Sequence, residues 1–227
     1  MFFDSHLTGE PIGWDAAGKL TVPRTHMAVG AVGKYLIVAG GNHYDSKEKG
    51  YSKNTFLGSV DVLDLSKPKT SWVQRSAMPG WRRGWAASAV LGGRLYVLGG
   101  LTITDVEMKR VQETLCYDPA KDEWAPRADP PAPISGWAGD TYENRYIIVV
   151  GGVVGKETWS DLPFVYDTKE DRWMKIESPL PPGAFFNDSG VRIIGDTIYV
   201  IGGEGPHGSH FNHFLIGRIK AAPAVRP

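Results

Sequence analysis

Leu95-Tyr96-Val97-Leu98-Gly99-Gly100 is one of four apolar runs in this chain that close on paired glycine. The others are Leu36-Ile37-Val38-Ala39-Gly40-Gly41, Tyr146-Ile147-Ile148-Val149-Val150-Gly151-Gly152 and Ile198-Tyr199-Val200-Ile201-Gly202-Gly203. The second glycines stand at 41, 100, 152 and 203, which sets spacings of 59, 52 and 51 residues. Helical-hairpin repeats of ~34 residues are too short for this spacing, whereas the blades of a β-propeller, at ~40 to 50, fit it.

The residues around each run repeat one pattern, seen best in the second copy. Trp85–Leu91 reads as strand A, Gly92-Gly93 as a hairpin turn and Arg94–Leu98 as strand B. Glu113–Tyr117 reads as strand C and Asp122–Arg127 as strand D. Short strands between frequent turn signals mark an all-β chain. Paired glycine at the end of strand B is expected where neighbouring backbones crowd and the chain leaves with positive φ. It is not a dinucleotide fingerprint, because no helix-forming segment follows any of the four pairs.

A second mark is an aromatic-Asp pair on strand C with a tryptophan seven residues after the aromatic. Tyr117-Asp118 leads to Trp124 and Tyr166-Asp167 leads to Trp173. In the first copy Leu63-Asp64 leads to Trp72, two residues late, with Lys67-Pro68 as the insertion. The aspartates suit turns, since their carboxylates bond backbone N–H groups further on. Tyr117, Tyr166, Trp72, Trp124 and Trp173 are expected in the core, filling the space between sheets.

Gly-Gly, Tyr-Asp and Trp at these spacings resemble the kelch repeat, over about residues 14 to 219. The resemblance implies a β-propeller and leaves function open, since kelch propellers host unrelated activities. The expected architecture is one domain over 1–227, with four-stranded blades near 23–78, 79–130, 131–180 and 181–219. Residues 1–22 would supply an adjoining or closing blade. Kelch rings resemble six or seven blades, so four blades imply a partial ring of a larger propeller, or a small ring closed by the N-terminal segment. The fourth copy lacks a Trp-bearing strand D, whereas Trp14–Val22 reads as a strand D with no blade before it, and Phe2–Leu7 as an orphan strand C.

Composition narrows the function. Twenty-five basic residues balance 25 acidic ones, so no broad nucleic-acid or membrane-surface footprint is expected. The single cysteine, Cys116, excludes an intrachain disulfide framework. No signal peptide or membrane-length apolar segment is visible, which leaves the cytoplasm as the default expectation for a compartment the sequence does not specify. Neither a cofactor nor a metal is expected: His207, His210 and His213 pass from a loop into a strand, with no nearby Cys or Asp to complete a tetrahedral set.

The D-to-A turns and B-to-C loops of a blade share one face, and candidate ligand-binding residues fall there. They are Arg24, His26, Asn42, His43, Trp81, Arg82, Arg83, Trp137, Phe185, Asn187 and His207. Aromatic, Arg and Asn side chains suit a carbohydrate or other small ligand, and equally a protein partner. An open blade flank is expected to self-associate. Glu204, directly after Gly202-Gly203, is placed at the channel mouth, where burial raises a carboxyl toward an acid/base range. This stretch resembles the N-acetylneuraminate epimerase (sialic acid mutarotase) branch, in which a Glu after Gly-Gly works with an Arg six residues on. Here that position is His210, so the resemblance implies Glu204 and His210 as the catalytic pair of a cofactor-independent mutarotase. Arg24, Arg82 or Arg83 would then hold a substrate carboxylate.

Overall fold

The computed structural model describes residues 18–44, 50–67, 71–182, 184, 187–206 and 209–220. Among these no element is an α-helix, so none is long and apolar enough to cross a membrane. The first sheet runs β1 (Ala28–Val32), β2 (Tyr35–Ala39), β3 (Val60–Asp64) and β4 (Val73–Arg75). The second takes β5 (Ala87–Leu91) and β6 (Arg94–Leu98); after a separate hairpin of β7 (Leu101–Ile103) and β8 (Met108–Arg110) it continues with β9 (Thr114–Asp118) and β10 (Glu123–Arg127). The third has β11 (Ile134–Tyr142), β12 (Tyr146–Val154), the short β13 (Thr158–Trp159), β14 (Phe164–Asp167) and β15 (Arg172–Lys175). The fourth has three strands, β16 (Gly190–Ile194), β17 (Thr197–Ile201) and β18 (Phe214–Arg218).

All pairings within the sheets are antiparallel between neighbouring strands of one repeat, which is the meander of a propeller blade. The first strands pack in series, β1 on β5, β5 on β11 and β11 on β16. Val29, Ser88, Ala89, Val90, Gly139, Asp140, Thr141 and Arg192, drawn from all four, line one common cavity. This cavity is the channel of a partial propeller. Trp14 and Phe2–Leu7 lie outside the described residues, and Gly18–Val22 forms no strand.

Each apolar cluster bridges two sheets. Ile37, Ala39, Val60 and Val62 of the first meet Leu95, Val97, Leu115 and Tyr117 of the second. Tyr96, Leu98 and Cys116 of the second meet Ile147, Val149, Phe164 and Tyr166 of the third. Val150 of the third meets Val191 and Val200 of the fourth. Tyr117 and Tyr166 are fully buried, with Trp124 and Trp173 packed against the clusters. Trp72 is half-buried and joins none of them. The polar tips are satisfied. The Tyr117 and Tyr166 hydroxyls donate to Asp122 and Asp171. The Trp124 and Trp173 indoles donate to the carbonyls of Ser76 and Ala128 in the preceding linker. Asp118 and Asp167 accept backbone N–H bonds two and three residues on, as the turn reading requires.

The paired glycines are explained by crowding from the next sheet. In the first two copies the second glycine donates to the next repeat: Gly41 N–H to Arg83 C=O and Gly100 N–H to Ile134 C=O, both 2.8 Å. A Cβ on Gly40 would stand 2.7 Å from the Arg83 carbonyl oxygen. In the third copy β12 runs through Gly151-Gly152, and the expected turn at Ile134–Trp137 is part of β11.

The outer face of the fourth sheet differs. Ile201 pairs with Phe214 and Tyr199 with Ile216, as Ala39 pairs with Val60 and Ile37 with Val62 in the first sheet. Ala39, Val60 and Val62 are at most 3% exposed, whereas Ile201, Phe214 and Ile216 are 56–59% exposed. Gly202 shares the φ of Gly40 (63° against 62°), but its Cβ would meet only its own loop, the Phe211 carbonyl at 3.5 Å. Gly202→Ala should therefore cost only the left-handed strain, about 1–2 kcal/mol. Gly40→Ala should cost about 1–3 kcal/mol more through the added clash. Urea unfolding of the two variants measures the difference; equal losses would show that crowding does not select the first glycine.

Candidate functional site

The sheets meet at the channel mouth through a chain of backbone bonds. Trp85 N–H donates to His26 C=O (3.1 Å), Gly136 N–H to Trp85 C=O (2.9 Å) and Asp188 N–H to Gly136 C=O (2.7 Å). All four residues hold φ between 50° and 69°. Left-handed backbone turns each D-to-A segment so that its amide meets the carbonyl of the segment before it. Glycine adopts this freely and Asp is among the better-tolerated side chains there, while His26 and Trp85 are held by their surroundings.

Just after the glycine pair, the chain bridges back to this turn. Asn42 pairs with Thr25, Leu101 with Gly84 and Glu204 with Asn187. Glu204 pairs on its other side with His210, so backbone pairing sets these two residues directly opposite each other. Gly205 N–H to Ser209 C=O (2.7 Å) and Phe211 N–H to Gly203 C=O (2.9 Å) hold that loop.

A cavity of about 530 Å³ opens here, lined by His26, Asp188, Gly203, Glu204, His210 and Phe211. It joins the first repeat to the fourth. Asp188 is exposed as a residue, yet protein crowds its carboxyl; desolvation raises its pKa, Glu204 raises it further and His26 opposes the rise. His26 Nδ1 lies 3.0 Å from both Thr25 Oγ1 and Asn42 Oδ1, and its ring stacks on Trp85 at 3.9 Å. Tyr51 meets Trp85 edge-on at 5.6 Å. Asn42 is wholly buried, and its side-chain N–H₂ has no partner among the described residues. The buried side-chain oxygens of Asn187 and Ser189 are likewise unpaired.

The expected site residues thus divide. His26, Glu204 and His210 come together in the cavity, and Asn42 and Asn187 brace its walls. Arg24 and Arg83, expected to face a ligand, are turned inward. Arg24 donates to the carbonyls of Val22, Gly40 and Ser59 and pairs with Asp61 at 3.0 Å, both side chains fully buried. Arg83 repeats the device, donating to the carbonyls of Trp81 and Gly99 and pairing with Glu113. Trp137 is also structural: its indole N–H donates to Leu98 C=O (2.9 Å) and its ring stacks on Trp173. Trp81, with Lys109 over its ring at 4.0 Å, does not line the cavity, and Arg82 lines a separate groove beside Gly58 and Met78. His43 is half-buried, its Nδ1 unpaired among the described residues. Phe185 and His207 lie outside those residues. Among the described residues no group of His, Cys, Asp and Glu is arranged to hold a metal.

The sequence reading missed Asp188 and Trp85 as site residues. Aligning the turns at Thr25-His26, Gly84-Trp85 and Asn187-Asp188 would have placed all three second residues at the mouth. If Glu204 contributes repulsion, Glu204→Gln should lower the Asp188 pKa while burial keeps it above the usual aspartate value. A carboxyl NMR titration reads both; an unchanged Asp188 would mean the two carboxyls do not interact.

The family model described as the KLHDC2/KLHL20/DRC7 Kelch-repeats domain matches residues 12–203. Kelch-like protein 15 from Homo sapiens is 24% identical over 223 residues, covering 74% of this chain and 37% of that protein. N-acetylneuraminate epimerase from Yersinia pestis (strain Pestoides F) is 32% identical over 107 residues, covering 43% and 27%. The solved structure of YjhT superposes with a TM-score of 0.68 at 16% identity, over 90% of this chain and 67% of that one. That likeness bears on the fold alone. The chain spans between a quarter and about a third of the length of the curated relatives it matches.

Proposed function

We propose that this chain, which belongs to the kelch-repeat family, is a binding propeller whose ligand or protein partner seats at the channel mouth. The observation that carries this reading is the cavity between the first and fourth repeats, where His26, Asp188, Glu204 and His210 converge. Unpaired polar atoms on Asn42, Asn187 and Ser189 nearby support it, because buried polar groups are normally satisfied.

A second reading is a cofactor-independent mutarotase acting on sialic acid-like sugars, favoured by the backbone pairing of Glu204 with His210 and by the similarity to N-acetylneuraminate epimerase. Glu204 would take the proton of the anomeric hydroxyl while a second group protonates the ring oxygen. The ring opens, the carbonyl rotates, and reclosure from the other face returns both protons. Asp188, its carboxyl shifted toward the protonated form, is suited to donate alongside His210. Anomer exchange of N-acetylneuraminate, followed by NMR, tests this. The mutarotase reading expects the wild type to exceed the uncatalysed rate and Glu204→Gln to lose about 10²-fold or more of that excess. Equal rates at the uncatalysed level remove the enzymatic reading and leave the binding one.

We further propose that the uncovered apolar face of the fourth sheet pairs with the same face of a second copy. Two-fold pairing would cover Ile201, Phe214 and Ile216 on both chains at once. Sedimentation of the wild type should show a concentration-dependent dimer, and Ile201→Asp with Phe214→Lys should leave a folded monomer. A wild type monomeric at every concentration would reject this pairing.

A further inference from the structure

We propose that the channel-mouth cavity selects a hydroxylated ligand carrying a free protonated amine, such as an amino sugar, over an acidic sugar. This deepens the binding reading above and rests on it.

An acidic sugar needs a cation to hold its carboxylate, and a guanidinium does so best. The two arginines placed for that task are unavailable. Arg24 is committed to Asp61 and three carbonyls, and Arg83 to Glu113 and two. Arg82 lines a different groove. Arg192 stands further along the channel, 3.8 Å from Asp140. The described lining of the cavity holds no lysine or arginine, but it holds two carboxyls, Asp188 and Glu204, with the imidazoles of His26 and His210.

Acceptors are in surplus. Besides the two carboxyls, the Asp188 carbonyl ends the interblade chain and receives no backbone N–H among the described residues. An ammonium brings three donors and a positive charge to such a set. The imidazoles of His26 and His210, which line the cavity, would take the hydroxyls of the same ligand. Phe211, stacked on His213 at 4.7 Å, offers an apolar surface to the C–H face of a sugar ring.

The test is an NMR titration of the wild-type chain with three probes, glucosamine at about pH 6, glucose and N-acetylneuraminate, following the side-chain signals of His26 and Glu204. Glucosamine should bind about tenfold or more tightly than glucose, the scale of one charge-assisted contact. Asp188→Asn, which keeps the side-chain size and tolerates the same backbone, should remove that advantage. Equal binding of glucosamine and glucose, or tightest binding of N-acetylneuraminate, overturns the amine preference while leaving the channel-mouth site in place. Absence of any response from all three probes overturns both the amine preference and the carbohydrate form of the site. An advantage for glucosamine that persists in Asp188→Asn and in Glu204→Gln also overturns it, because the amine would then be held elsewhere.

Discussion

The structure depends on a short sequence of backbone hydrogen bonds that passes from sheet to sheet at the channel mouth. His26, Trp85, Gly136 and Asp188 each sit in left-handed backbone, and each of the last three gives its N–H to the carbonyl of the one before. Left-handed backbone is strained for all but glycine and a few polar residues, so it persists only where the surroundings over-determine it. Here they do. At the first two junctions the glycine pair of the preceding strand B gives a second interblade N–H bond, and an apolar cluster closes every wedge behind it. Together these bonds fix the angle between sheets, and the angle brings the first and fourth repeats to one cavity.

The two buried arginines show how the same position in two repeats is used alike. In both, the guanidinium reaches back two residues to a carbonyl and forward sixteen to the carbonyl of the first glycine, then pairs with an acid of the same sheet. Losing one partner of a fully buried pair costs about 3–5 kcal/mol, because it leaves a bare charge out of water. Such groups belong to the frame. Their withdrawal is also what gives the mouth its character, since two cations that could have faced a ligand instead tie turn to sheet, and the carboxyls of Asp188 and Glu204 are left to set the local charge.

Two cross-strand pairs of the fourth sheet, Ile201–Phe214 and Tyr199–Ile216, stand where the first sheet buries apolar pairs, but Ile201, Phe214 and Ile216 have nothing packed on them among the described residues. Position 202 keeps a glycine whose counterparts in the first two repeats, Gly40 and Gly99, are crowded by the following repeat. The pattern of side chains in the fourth sheet is that of an interior blade.

Much of this was legible in the chain. Glycine pairs, Tyr-Asp and Trp at regular spacing specify strand order, turn positions and the residues that fill each wedge, because all of these are local: they follow from alternation, turn chemistry and size. The pairing of Glu204 with a residue six on was also within reach, since it spans one loop. What sequence could not decide was direction. Arg24 and Arg83 read as ligand contacts because arginine in an exposed-looking turn ordinarily is one; only the tertiary structure shows acceptors converging on them from segments 16 to 37 residues away. Asp188 was passed over for the same reason. Of its neighbours at the cavity, Glu204 belongs to the same repeat, but His26 comes from the first, and only the wedge angle summed over four sheets brings His26 within electrostatic reach.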